Sequence, residues 1–351
     1  MNRFWLGAVH CLWFVIAWLG VHALIEIVPE STAHVGAKFE YLEKHKNDFE
    51  VIFLGSSRVF RGVDPALFDL RMAETGKPIS SFNMGIPQMG GMETLHVLRR
   101  ILGLESGRLR LVVVDPEYVF PYRWGSTLRD TSVHTLDNTL ELISMQIALS
   151  KGMKFTDRLT STFRHVNAYL DNVTQRGRIS QAIKVAKNSY VELLGPASNG
   201  FATIEWSVKL LSRYGDAGNL VKRQRKFRLQ HRFIENIALP RVLMVSKQPL
   251  PPLMPHEKRY LKELMEAARK SGVQLVFVKL PRAYQAGPRF LEAAQLEELV
   301  PNLFNYDDPE RFPEFFAFEN RWDRSHFNAA GARLMTLQLA TDLAPYVRPA
   351  P

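Results

Sequence analysis

Val51-Ile52-Phe53-Leu54-Gly55-Ser56-Ser57-Arg58 is the stretch from which the rest of this chain can be read. An apolar, β-branched run bounded by glycine predicts a strand from Phe49 to Leu54. Gly55 permits a tight turn, and Ser57 then stands at the start of a helical turn, where free amides can hold a developing oxyanion. Near the other end of the chain, Asp323-Arg324-Ser325-His326 precedes the last predicted helix. A hydroxyl, an imidazole base and an orienting carboxylate are the three parts of a nucleophilic acyl-transfer site.

Working outward, Val63-Asp64-Pro65-Ala66 reads as a helix start, with Asp64 capping free amides and Pro65 at the first helical position. Further strands are predicted at Ile79–Met84, Arg110–Val114, Val273–Leu280 and, briefly, Leu303–Tyr306. Helices are predicted at Met92–Leu104, Glu257–Ser271, Arg289–Leu299 and Ala329–Leu343, with a short charged one around Lys38–Lys46. Strand and helix in turn argue for an α/β parallel sheet covered on both faces. From residue 117 to 255 strands are hard to find, which predicts a mainly helical insertion too long for a loop.

In such a sheet, reactive groups gather at the carboxyl ends of the strands. Four elements fall there: Gly55-Ser56-Ser57, Asn83-Met84-Gly85, Asp115, and the segment from Asp323 to His326. Gly85, lacking a side chain, could offer a second amide to the oxygen that Ser57 serves. Each element also has an ordinary reading. These are a common strand-Gly-Ser-Ser turn, a turn cap at Asp323, a surface histidine at 326, and punctuation at Gly85 beside Pro87.

Composition narrows the classes. With 46% apolar residues among 351, the chain can bury one large core with an insertion, or two smaller ones. A single cysteine, Cys11, excludes a disulfide framework or thiolate metal site within one chain. His96, His134, His165, His231 and His256 lack metal-ligand spacing, and Glu93 with His96 gives two ligands without a third. No metal or cofactor is therefore expected.

The net charge of +10 is uneven: ten Lys or Arg face three acids between Glu205 and Lys247, most densely from Val221 to Arg228. This reads as a solvated helix face, or as attraction to anionic lipid headgroups or an acidic polymer. Phe4 through Ile25 is apolar, interrupted by Gly7, His10, Gly20 and His22, and long enough to span a bilayer. Arg3 before it and Glu26 and Glu30 after it favour a cytoplasmic amino terminus and an exported body, for which nucleic acid is a poor partner. Competing readings are a signal peptide cleaved near Val21-His22-Ala23 and a buried soluble helix. The expected organisation is an anchor (1–27), a linker (28–48), a core in two parts (49–116 and 256–351) and the insertion (117–255).

Phe53-Leu54-Gly55-Ser56-Ser57-Arg58, Phe82-Asn83-Met84-Gly85 and Asp323-Arg324-Ser325-His326-Phe327-Asn328-Ala329-Ala330-Gly331 together resemble the SGNH/GDSL hydrolase superfamily. The likeness is to its membrane-anchored, acetyltransferase-like branch of bacterial envelope and exopolysaccharide proteins, and it covers both ends of the body but not the middle. The resemblance implies a flavodoxin-like three-layer fold. It also implies Ser57 as nucleophile, His326 as base, Asp323 as its partner, and an oxyanion hole from Ser57, Gly85 and a third donor. The implied setting is a single-pass protein of the bacterial inner membrane with its body facing the periplasm or exterior, acting on an envelope carbohydrate or other acyl ester beside polysaccharide-assembly proteins. One departure stands out: where the family carries Gly-x-Asn-Asp, this chain has Val114-Asp115-Pro116-Glu117-Tyr118. An ionised Asp115 cannot donate to an oxyanion, leaving Asn83 or Gln88 as substitutes, or a weak or lost activity.

Overall fold

Valine, isoleucine and phenylalanine runs closed by glycine or aspartate form strands here because both of their faces are covered. The computed structural model describes residues 36–117, 128–149, 154–176, 189–213, 215, 217–282 and 289–347, with scattered positions between 9 and 23. In chain order α1 (Gly36–Lys44) precedes β1 (Val51–Gly55), α2 (Ser57–Gly62), α3 (Pro65–Glu74), β2 (Ser81–Gly85), α4 (Gly91–Leu102) and β3 (Leu111–Asp115). Then follow α5 (Leu128–Ser132), α6 (Leu136–Leu149), α7 (Phe155–Val173), α8 (Ile204–Ser212) and α9 (Gly218–Leu229). The chain closes with α10 (Pro255–Lys270), β4 (Gln274–Lys279), α11 (Phe290–Leu296), β5 (Leu303–Asn305) and α12 (Ala329–Leu343). Two compact units result: Met1–Ala37 with Trp124–Ser189, and Lys38–Arg123 with Tyr190–Pro351.

The second unit holds a five-stranded parallel sheet in the order β2-β1-β3-β4-β5. Val51, Phe53, Leu111, Val113, Val276 and Val278 face a core closed by Phe68 and Met72 of α3 and Met335 and Leu339 of α12. The alternate residues Ile52, Leu54, Val112, Val114 and Phe277 are equally buried on the other face, where α4 and α10 pack together. Asp64 caps α3 as its sequence predicts, accepting from the amides of Ala66 and Leu67 ahead of Pro65.

β2 lies at the sheet edge, and its outer side is closed from elsewhere in the chain. The Asn83 amide donates to the Asn199 carbonyl at 2.9 Å. The fully buried Lys38 donates from Nζ to the carbonyls of Asn83 (2.8 Å), Gly85 (2.7 Å) and Gly200 (2.6 Å). An edge strand is thereby denied to foreign chains.

Residues 117–255 carry helices and, among the described residues, no strand. The expected anchor at residues 4–25 falls largely outside the described residues. No described helix is long and apolar enough to cross a membrane.

Candidate active site

Parallel register decides which residues can meet. Gly55 of β1 pairs with Gly85 of β2 on one side and Asp115 of β3 on the other, so three of the four expected elements end level with one another. The chain leaves β1 toward β2 and returns to β3, so the strand order reverses at β1, where open parallel sheets leave a crevice. Ser56, in extended conformation, is the N-cap of α2, and Ser57 is that helix's first residue. A side chain at position 85 would collide with the backbone of Phe60, so glycine there lets α2 sit directly against β2.

The fourth element arrives from the segment before α12. Trp322 N–H donates to the His326 carbonyl at 3.0 Å, folding the segment into a tight turn, while Arg321 and Phe327 form a bridge at its mouth. Asp323 Oδ1 accepts from the amides of Ser325 (2.7 Å) and His326 (3.0 Å), and both carboxylate oxygens face His326 Nδ1, at 2.9 and 3.0 Å. The other ring nitrogen, Nε2, lies 2.8 Å from Ser57 Oγ. With Nδ1–H donating to the carboxylate, Nε2 is left as an acceptor for the serine hydroxyl. Burial alone would raise the Asp323 carboxyl, but His326 and the two amides outweigh it and hold the group at about 2. Asp323 is 5% exposed and His326 7%, whereas Ser57 is half-buried, so the hydroxyl is the end of the relay that meets solvent.

The expected oxyanion donors are placed differently. Asn83 is wholly buried; its Nδ2 donates to the carbonyls of Val59 (2.8 Å) and Val63 (2.6 Å), and its Oδ1 accepts the Gly85 amide at 2.8 Å. Both Asn83 donors and the Gly85 amide are thus committed to holding α2 on β2. Gln88 is exposed in the left-handed region, at φ 62°. Asp115 is engaged by Arg58, whose Nε and Nη2 both reach Oδ2, while Arg58 Nη1 pairs with Glu117 at 2.7 Å. The amide at the head of α2, on Ser57, is the expected donor that the helix's own hydrogen bonding leaves unclaimed.

Sequence reasoning missed several supports. Arg321 donates to the carbonyls of Phe315 and Arg324, both at 3.2 Å, and lies over the Phe327 ring, bracing the Asp323–His326 turn. Arg282 joins Glu117 at 2.6 Å and the Asp307 carboxylate through its amide at 2.7 Å. Non-local pairing of opposite charges across strand ends is the signal that could have found Arg282, whereas the partners of Arg321 are backbone carbonyls and a ring, which charge pattern does not report. A cavity of about 1220 Å³ opens elsewhere, beside Glu50, Arg110, Lys262, Arg269 and Tyr346, at the amino ends of the strands. Among the described residues no group of three or more metal-binding side chains occurs.

No family model matches this chain, and no curated protein matches it either.

Proposed function

We propose that this chain is an SGNH-like esterase or O-acyltransferase of flavodoxin-like fold, anchored by its amino-terminal segment. Its body acts outside the bacterial inner membrane on an ester-bearing envelope carbohydrate. The single observation that carries the reading is the 2.8 Å contact between Ser57 Oγ and a histidine already oriented by Asp323. His326 Nε2 takes the serine proton as Oγ attacks the ester carbonyl. The C–O bond to the leaving alcohol breaks as the imidazolium returns that proton, giving an acyl-serine. Water or a sugar hydroxyl, deprotonated by the same nitrogen, then accepts the acyl group, which separates hydrolysis from transfer. The Ser57 amide faces the developing oxyanion.

The test is covalent labelling. A fluorophosphonate should modify Ser57 in folded protein and spare His326→Ala, because the hydroxyl is not activated without its base. An unlabelled Ser57 in wild-type protein would overturn the enzymatic reading.

A second reading is favoured by the committed Asn83, Gly85 and Asp115 groups: a catalytically silent SGNH-like component that binds glycan or organises assembly partners. It requires that Ser57→Ala leave cellular function intact, whereas the first reading requires its loss.

A further inference from the structure

α7 packs against α5 and α6 with its polar side. His165 and Ala168 are its buried residues, and His165 Nδ1 meets His134 Nε2 at 3.1 Å. Its Asn172 side chain donates to the His134 carbonyl, and the Gln146 amide of α6 donates to the Arg158 carbonyl. The apolar side faces outward. Phe155 is 77% exposed, Leu159 45%, Phe163 58%, Val166 37% and Leu170 49%. At about 100° per residue, these five fall within an arc of about 80°, on the far side of the helix from His165 and Ala168. On α6, Leu136 and Leu140 are also more than half exposed. A helix that turns its polar side inward and its large apolar side chains outward, as α7 does, inverts the arrangement that water imposes.

We infer that α7 lies in the headgroup region of an anionic lipid bilayer, with the Phe155–Leu170 stripe immersed. Two further observations select lipid as the occupant. First, the same compact unit includes the apolar amino-terminal stretch, where Trp13 is 65% and Phe14 72% exposed, so apolar surface recurs in one body. Second, between residues 124 and 189 nine Lys or Arg stand against five acids, and Lys154, Arg164 and Arg176 are exposed along α7 or just beyond its ends. An amphipathic helix with cationic flanks binds by apolar immersion and by attraction to anionic headgroups. The inference does not depend on chemistry at Ser57.

The full chain carrying Cys11→Ser, with one cysteine introduced as Leu159→Cys, Phe163→Cys, Thr160→Cys or Asn167→Cys, reads this directly. Each is labelled with an environment-sensitive fluorophore and reconstituted in phosphatidylglycerol–phosphatidylethanolamine vesicles. Positions 159 and 163 should be quenched by acyl-chain-brominated lipid about threefold or more above positions 160 and 167. The contrast should shrink in pure phosphatidylcholine. Equal quenching at all four positions overturns the inference. So does protection at 159 and 163 that follows the protein-to-lipid ratio, which assigns the stripe to a second copy of the chain.

Discussion

Arg58 grips Asp115 with two nitrogens on one carboxylate oxygen, Nε at 3.2 Å and Nη2 at 2.9 Å, directly behind Ser57. The pair ties the first turn of α2 to the end of β3, and Glu117 and Arg282 extend it toward β4. Burial pushes Asp115 up against the pull of Arg58. For Glu117, burial acts in the same direction but Arg58 and Arg282 outweigh it, and the carboxyl sits below its ordinary value. Asp115, which departs from the resembled family's pattern at this position, thus serves here to hold a guanidinium.

Removing one member should therefore cost more than removing both. Asp115→Asn leaves a buried guanidinium with one carboxylate fewer, and a loss of about 3 kcal/mol is expected in urea denaturation. The double change Arg58→Met with Asp115→Leu should recover part of it, because neither charge is then stranded. A double variant no more stable than the single one would mean that the pair does not act as a unit.

Asp323 makes a pH prediction with a definite sign. Its folded value of about 2 lies below that of an unfolded aspartate, so the stability it contributes is present above about pH 4 and lost as pH falls through 2. Asp323→Asn should be less stable than wild type by about 2 kcal/mol at pH 7, with the gap closing near pH 2. Under the proposed mechanism the same change disfavours the tautomer that accepts from Ser57, and turnover should fall by about 10⁴-fold. Parallel denaturation and ester-hydrolysis series across pH measure both.

The sheet was legible because each strand is an apolar run with glycine, proline or polar residues at its ends, and burial on both faces demands that pattern. The expected strand at Phe49–Leu54 forms at Val51–Gly55, and the helix expected at Ala329–Leu343 forms over those residues. The meeting of Ser57 with His326 was legible through the order of the motifs and their resemblance to a known family; the parallel sheet accounts for the Ser57 side alone, at the carboxyl end of β1. Lys38 was not legible. It lies in a segment that reads as a charged connector, yet it is buried under three carbonyls of the edge strand and the 200 loop. Periodicity reports which face meets water. It does not report which distant carbonyl lacks a donor, and Asn83, spent on α2 rather than aimed at substrate, escaped for the same reason.

The His134–His165 pair also joins residues that spacing kept apart, and it predicts an acid response. His134 Nδ1 donates to the Asp130 carbonyl at 2.7 Å, so its Nε2 accepts from His165 Nδ1–H and both rings are neutral. Burial lowers His134 against the pull of Asp130. Burial, with His134 beside it, lowers His165 to about 4. Depressed histidines leave stability intact above about pH 6.5 and remove it as pH falls toward 4. Hydrogen exchange across 155–173, normalised for intrinsic rate, should rise over that window while the sheet strands stay protected. His165→Asn, which keeps a donor near Nδ1 but does not titrate there, should flatten the response.

The basic helix α9 gains a specific meaning from its neighbours. Lys222, Arg223, Arg225, Lys226 and Arg228 are exposed along it, while its buried Phe227 stacks on Phe318 at 4.6 Å. Trp322 donates from Nε1 to the Leu220 carbonyl, and Arg324 to the Gln230 side chain, so α9 is fastened on both sides of Asp323 to the turn that carries His326. On the proposed reading, a positive surface fastened to that turn would raise the local concentration of a polyanionic substrate and leave a neutral ester unaffected. Lys222→Glu with Lys226→Glu should raise KM for an acylated acidic polysaccharide by about tenfold at low salt, and the difference should fade near about 0.5 M salt. Turnover of a small neutral ester should not change, because neither lysine touches Ser57, His326 or Asp323. An equal loss on both substrates would show that the helix supports the turn and does not recruit substrate.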